Sequence, residues 1–174
     1  FNHINSIGGN VIMTSLKHQR ASERCAEALI QIEKKESFLY DIVVMVQGDE
    51  PMTHPDMIAE AINPMLKSKE IIITNLMGDI RSDDEFEDRN CIKVVCDLDN
   101  NALFFSREPI PTRMFGNVRM RKQVCIIPFT RDFLLEYTQL SPTPLEISES
   151  VDMMRVLEHG KKVKMVPTKF QTYQ

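Results

Sequence analysis

Residues 41–46 read Asp-Ile-Val-Val-Met-Val, an apolar run rich in β-branched side chains that stops at Gln47-Gly48-Asp49-Glu50-Pro51. A run of this kind predicts a strand covered on both faces, as in a parallel sheet. Similar runs predict strands at residues 71–76, 124–127 and 163–167, and a short one at residues 11–14 after the Gly8-Gly9 turn. Ile92-Lys93-Val94-Val95-Cys96 and Ala102-Leu103-Phe104-Phe105-Ser106 flank a turn rich in Asp and Asn, which predicts a β-hairpin.

Between these runs the period lengthens. Cys25, Ala26, Leu29, Ile30 and Ile32 form the inward side of a helix whose N-cap is expected at Ser22. Thr53-His54-Pro55-Asp56 predicts a second helix, capped by Thr53 and running to about Met65, and Thr130 caps a third that runs to about Leu140. Thr143-Pro144-Leu145-Glu146 combines an N-cap, a proline at the first helical position and a capping-box glutamate; one helix is predicted from there to a stop at Gly160. The acidic residues 83–88 fit a solvated short helix or loop. Residues 115–122 fit either a mobile basic loop that closes over an anion or one that is merely exposed, and residues 170–174 are expected to end the chain without a helix.

This alternation predicts an α/β fold in a single domain over residues 1–174, and a composition 43% hydrophobic and 26% charged agrees with a globular core. A net charge of -4 argues against nucleic acid or an anionic membrane as partner. No apolar stretch approaches the roughly 20 residues needed to span a bilayer, so a cytoplasmic location is expected. Cys25, Cys91, Cys96 and Cys125 lack zinc-site or CxxC spacing and read as buried thiols of a reducing compartment.

The chemistry concentrates in three places. Acids at the carboxyl end of a strand lie where open α/β sheets bind ligands, and one carboxylate there can hold a divalent cation jointly with substrate phosphates; a solvated acidic turn is the competing reading. Lys17, His18, Gln19, Arg20 and Arg24 gather donors at a helix start, either as an anion site or as a solvated basic loop. Lys93 and Arg107 place charged heads within or beside apolar runs, pointing into a cleft or guarding a sheet edge.

MTSLKHQRASERCAEA, VQGDEPM, IKVVCDLDNNALFFSREPIP and SPTPLEISESVDMMRVLEHGKKVKMV, in this order, resemble the 3-deoxy-manno-octulosonate cytidylyltransferase family along nearly the whole chain. The resemblance implies a nucleotide-diphospho-sugar transferase-like, Rossmann-like mixed sheet flanked by helices. The implied reaction couples CTP to a sugar acid for lipopolysaccharide or related glycan synthesis, with pyrophosphate as the other product. It further implies Asp49 as the catalytic Mg²⁺ ligand, His18, Arg24, Gln47, Glu50, Lys93, Arg107, Gln123 and Asp152 as substrate-binding positions, and a homodimer. Three departures bear on the sugar more than on the reaction class: Arg20-Ala21-Ser22 replaces Ser-Gly-Thr, Lys122-Gln123 replaces Arg-His, and Asp152-Met153 replaces Glu-Gln. The family's triphosphate loop would precede Phe1 and its second metal aspartate would follow Gln174, so the chain is expected to be the middle of an enzyme. Another sugar nucleotidyltransferase, or a catalytically incomplete binding or dimerisation fragment, are the alternative readings.

Overall fold

The computed structural model describes residues 1–116 and 118–172. In order, it places α1 (Asn2–Ser6), α2 (Ala21–Glu36), β1 (Ile42–Val46), α3 (Pro55–Lys67), β2 (Thr74–Asp79), α4 (Asp83–Glu87), β3 (Lys93–Cys96) and β4 (Ala102–Ser106). There follow β5 (Arg121–Gln123), β6 (Ile126–Thr130), α5 (Arg131–Tyr137), α6 (Pro144–Glu149), α7 (Asp152–Glu158) and β7 (Lys164–Pro167). Five strands form a mixed sheet in the order β4-β3-β5-β2-β7, in which β2 and β7 are parallel and the other pairs antiparallel. The expected hairpin is β3–β4.

β1 departs from expectation. It pairs with β6 alone among the described residues, and antiparallel, so Ile42, Val43 and Val44 remain half-buried rather than covered on both faces. The pair meets the larger sheet along β2, where Ile73 bridges to Phe129 and the Thr130 N–H donates to the Ile72 carbonyl at 2.8 Å. The strand expected at residues 11–14 does not form, and the predicted loop at 115–122 gives up Arg121 and Lys122 to β5, where Lys122 is buried. Asn117 of that loop, and Tyr173 and Gln174 of the expected irregular end, lie outside the described residues.

Local capping decides the helix starts. The Glu23 carboxylate accepts the N–H groups of Gln19 at 2.8 Å and Arg20 at 3.4 Å, so the N-cap of α2 is Arg20 and Ser22 lies wholly buried inside the first turn. At α3 the cap is His54, whose Nδ1 accepts the Asp56 N–H at 3.2 Å, while the Thr53 hydroxyl donates instead to the Glu50 carbonyl at 2.8 Å. Thr130 caps α5 and Thr143 opens α6 as expected. The single helix expected from Thr143 to Gly160 is two. Ser150 is left-handed (φ 53°), and the chain restarts at Asp152 before Gly160 (φ 73°) ends it.

α2, α5 and α7 lie over one core cluster that includes Leu29, Met45, Phe105, Phe129, Phe133, Met154 and Val156. A smaller cluster of Met57, Ala61, Leu76, Val124 and Ile126 seats α3. The methionines of α7 are interior: Met153 and Met154 are fully buried. The cysteines are all unpaired, but Cys91 alone is buried in the strict sense expected of the four; Cys25, Cys96 and Cys125 are partly buried.

Candidate active site

The turn that ends β1 is tied to the junction of β5 and β6. The Gln47 N–H donates to the Cys125 carbonyl at 3.1 Å, the Glu50 N–H to the Gln47 carbonyl at 3.2 Å, and the Cys125 N–H to Glu50 Oε1 at 2.8 Å. Glu50 is therefore buried and holds the turn, which leaves Gln47 and the exposed Asp49 facing a cavity of about 400 Å³. No hydrogen bond or ion pair engages the Asp49 carboxylate among the described residues. Its charge and that of Glu50 add to burial in pushing the neighbouring Cys125 thiol up to about 12.

The opposite wall comes from the α6–α7 break. Arg107 Nε donates to the Glu149 carbonyl at 2.6 Å, Nη1 donates to the Arg89 carbonyl at 2.9 Å, and the Arg107 N–H reaches Glu149 Oε2 at 2.8 Å. These fix the guanidinium without pairing it to a carboxylate. One residue on, Ser150 Oγ accepts from Arg20 Nη1 at 3.2 Å, so consecutive residues of the break hold two cavity arginines. Asp152 opens α7 into the same cavity and accepts from Ser22 Oγ at 3.0 Å, with Arg20 Nε 3.4 Å away. Burial pushes its carboxyl above the ordinary aspartate range, and Arg20 and Ser22 act against that. Gln123 is buried in the floor, and its Nε2 donates to Asn75 Oδ1 at 2.6 Å.

Beneath the wall lies a buried ion pair. Arg155 grips Glu146 through Nε at 2.6 Å and Nη2 at 2.7 Å, and its guanidinium lies 4.8 Å from the centre of the Tyr137 ring. The Tyr137 hydroxyl donates to the Asp152 carbonyl at 3.2 Å, and Glu146 Oε1 is 3.4 Å from Arg20 Nε. The pair thus buttresses the two residues that show a donor and an acceptor to the cavity.

Of the positions singled out in the sequence, the structure brings Gln47, Asp49, Arg107, Gln123 and Asp152 together around the cavity. Gln19 and Arg20 of the basic cluster line it too, and the others lie elsewhere. Lys93 does not enter the cleft: it is fully buried, and Nζ donates to the carbonyls of Asp88 at 2.6 Å and Arg107 at 2.9 Å. His18 Nε2 sits 2.5 Å from Glu27, and Arg24 donates to Thr14 Oγ1 and to the Ser15 and His18 carbonyls, which ties residues 14–18 to α2. The sequence offers Arg20 only as one donor of a basic cluster, and it marks none of Ser22, Glu149 and Ser150 as site residues. Arg20 was legible as a cation before a helix, but its partner Ser150 is 130 residues away and leaves no local signal. A larger cavity of about 810 Å³, between the N-terminal segment, α2 and β1, has mainly apolar walls and holds none of these residues.

A cavity lined by polar and charged side chains lies at the carboxyl end of β1, beside a mixed sheet flanked by helices, and holds a carboxylate and a guanidinium that form no ion pair among the described residues, which is where α/β folds bind their ligands. The chain belongs to the cytidylyltransferase family, whose model matches residues 1–163. It is 36% identical to a 3-deoxy-manno-octulosonate cytidylyltransferase of Geobacter metallireducens over 97% of this chain and 69% of that protein. One of Fusobacterium nucleatum is also 36% identical, over 97% of this chain and 67% of that protein. Among solved structures it resembles a CMP:2-keto-3-deoxy-manno-octonic acid synthetase complexed with CTP, with a TM-score of 0.87 and 29% identity over 98% of this chain and 68% of that one.

Proposed function

We propose that this chain couples CTP to 3-deoxy-manno-octulosonate, making the CMP-sugar and pyrophosphate for lipopolysaccharide synthesis. The observation that carries the reading is the cavity itself, where the β1 turn sets Asp49 and Gln47 against Arg107, Gln123 and Asp152. The names of the relatives and the CTP in the similar solved structure support it. In the reaction the anomeric hydroxyl oxygen bonds to the α-phosphorus, its proton is released, and the bond from that phosphorus to the bridging oxygen breaks with its electron pair leaving on pyrophosphate.

Such transfers depend on positioning and on charge neutralisation rather than on covalent work by the protein. Arg107 is suited to the sugar's carboxylate, because its guanidinium is oriented by two carbonyls and, among the described residues, paired with no acid. Gln47 and Gln123 line the cavity as neutral donors and acceptors, and Asp152 as an acceptor. Asp49 is the residue that would hold Mg²⁺. The fit rests on its unengaged, exposed carboxylate at the cavity; no group of three or more His, Cys, Asp or Glu able to cage a metal is found among the described residues. A magnesium ion held by one carboxylate plus substrate phosphates needs no such cage, and when bound it neutralises charge on the phosphate oxygens.

In the same reading the protein works as a homodimer in the cytoplasm. Its four unpaired thiols suit a reducing compartment, and no helix among the described residues is long and apolar enough to cross a membrane. Light scattering of the purified protein tests the dimer. The reaction is tested by incubating the purified full-length protein with CTP, the sugar acid and Mg²⁺ and following pyrophosphate and the CMP-sugar. The expected result is release that requires both substrates. Release without the sugar acid, or equally with ATP, GTP or UTP, would reject the assignment.

A further inference from the structure

Two arginines face the cavity, and their charges are balanced differently. Arg107 has only carbonyl partners, whereas Arg20 Nε lies 3.4 Å from both Glu146 Oε1 and Asp152 Oδ1. Glu146 is already engaged twice by Arg155, so Asp152 is the principal counter-charge of Arg20. The Arg20 side chain is 23% exposed and that of Asp152 12%, both toward the cavity they line. Nη1 of Arg20 is held by Ser150 Oγ at 3.2 Å, while Nη2 has no hydrogen-bond partner among the described residues. The pair therefore presents a free N–H donor beside a carboxylate acceptor on one short stretch of wall.

We propose that Arg20 and Asp152 form a donor–acceptor clamp for a hydroxyl of the sugar acid's polyol end, with Arg20 the specificity-determining member. The proposal rests on the functional reading above and deepens it. Charge decides the class of group bound. A carboxylate beside Asp152 and Glu146 would add a third negative charge in a half-buried corner, whereas a hydroxyl accepts from Nη2, donates to Asp152 and leaves the corner neutral. The anionic end then goes to Arg107, which has no ion pair among the described residues. Because Glu149 holds Arg107 and Ser150 holds Arg20, the break between α6 and α7 fixes both ends of the substrate at once and so sets its orientation in the cavity.

The test uses Arg20→Ser and Arg20→Lys in the purified full-length enzyme. Serine is a preferred N-cap, so the first variant removes the guanidinium while keeping the start of α2, and thermal melting checks the fold. KM and kcat are measured for CTP, for 3-deoxy-manno-octulosonate and for its four monodeoxy analogues at the 4-, 5-, 7- and 8-hydroxyls. A hydrogen bond from a charged donor corresponds to about 10- to 100-fold in affinity. Arg20→Ser is expected to raise KM for the sugar acid by about that factor, with KM for CTP within about twofold. The wild type is expected to discriminate against one deoxy analogue, and the variant to treat that analogue and the parent sugar alike. Arg20→Lys, which keeps the charge on one donor nitrogen but loses the planar fork, should fall between the two. Unchanged KM for the sugar in Arg20→Ser, or undiminished discrimination against every deoxy analogue, overturns the clamp and leaves the functional reading standing. A wild type that turns over neither sugar nor analogue with CTP overturns the functional reading and the clamp with it.

Discussion

Glu146→Gln is expected to destabilise the fold strongly, because it leaves a buried cation without its counter-charge. The side chains of Arg155 and Glu146 are 4% and 1% exposed and are joined by two short charged hydrogen bonds of 2.6 and 2.7 Å. An amide can accept one of those bonds at most and carries no charge, and a cation stranded in this way typically costs about 3–5 kcal/mol. Against a total stability of roughly 5–15 kcal/mol this is a large fraction, and it corresponds to a fall in Tm of roughly 6–20 °C for a chain of this size. Because the protein has no Trp, urea melts are followed by far-ultraviolet circular dichroism. A companion variant with Glu146→Leu and Arg155→Met removes both charges and should recover most of the loss, since burying two apolar groups of similar volume avoids the desolvation penalty. If Glu146→Gln stayed within about 1 kcal/mol of wild type, or if the double variant were worse than the single one, the buttress described here would not be what holds the α6–α7 wall.

Two further outcomes follow from the titrating groups. The folded-state pKa of Asp152 is raised by burial from the ordinary value of 3.8, so the folded protein binds a proton there that the unfolded chain has released, and stability contributed at this position falls as pH rises from about 4 through the folded value. Asp152→Asn should therefore gain stability relative to wild type between urea melts at pH 4 and pH 7; a relative loss over that range would contradict the assignment. Burial raises all four thiols, with Cys91 and Cys96 at about 11 and Cys125 at about 12, so Ellman's reagent at pH 8 should react slowly with the native protein and rapidly with all four after denaturation. A fast native thiol would show that the burial at that cysteine is wrong.

What the sequence made legible was local. The capping signal at Thr130, the Gly160 stop, the β3–β4 hairpin and the turn after β1 all act within a few residues, and each forms as read; α6 starts at Pro144 as read, with Glu146 accepting the Thr143 N–H, but the Thr143 hydroxyl caps nothing. The helix break at Ser150 was not legible, because serine carries no left-handed signal of its own; there its hydroxyl receives Arg20, and the preceding Glu149 receives Arg107. Lys93 neither enters the cleft nor guards a sheet edge, for a related reason: a lysine inside an apolar run looks the same from sequence whether its head reaches a cavity, an edge or, as here on a central strand, two backbone carbonyls. Asp49 and Arg107 stand out from the strand pattern as well as from the resemblance, whereas Gln47, Gln123 and Asp152 enter through the resemblance alone; the structure brings all five to one cavity. Arg20, which shares their cavity, is legible only as one donor of the basic cluster, because it stands where the resemblance breaks down and receives no role from it.

The central claim is that the β1 turn presents Asp49 as the metal-binding carboxylate of a cytidylyltransferase. Its most direct test is pyrophosphate release by wild-type and Asp49→Asn full-length enzyme, with saturating CTP and 3-deoxy-manno-octulosonate, across a Mg²⁺ titration. Since Asp49 is exposed and unengaged, the variant should melt with the wild type, yet turn over roughly 10²-fold or more slowly, because a neutral amide is a poor ligand for a hard cation. Wild-type turnover by Asp49→Asn at limiting Mg²⁺ would contradict the account.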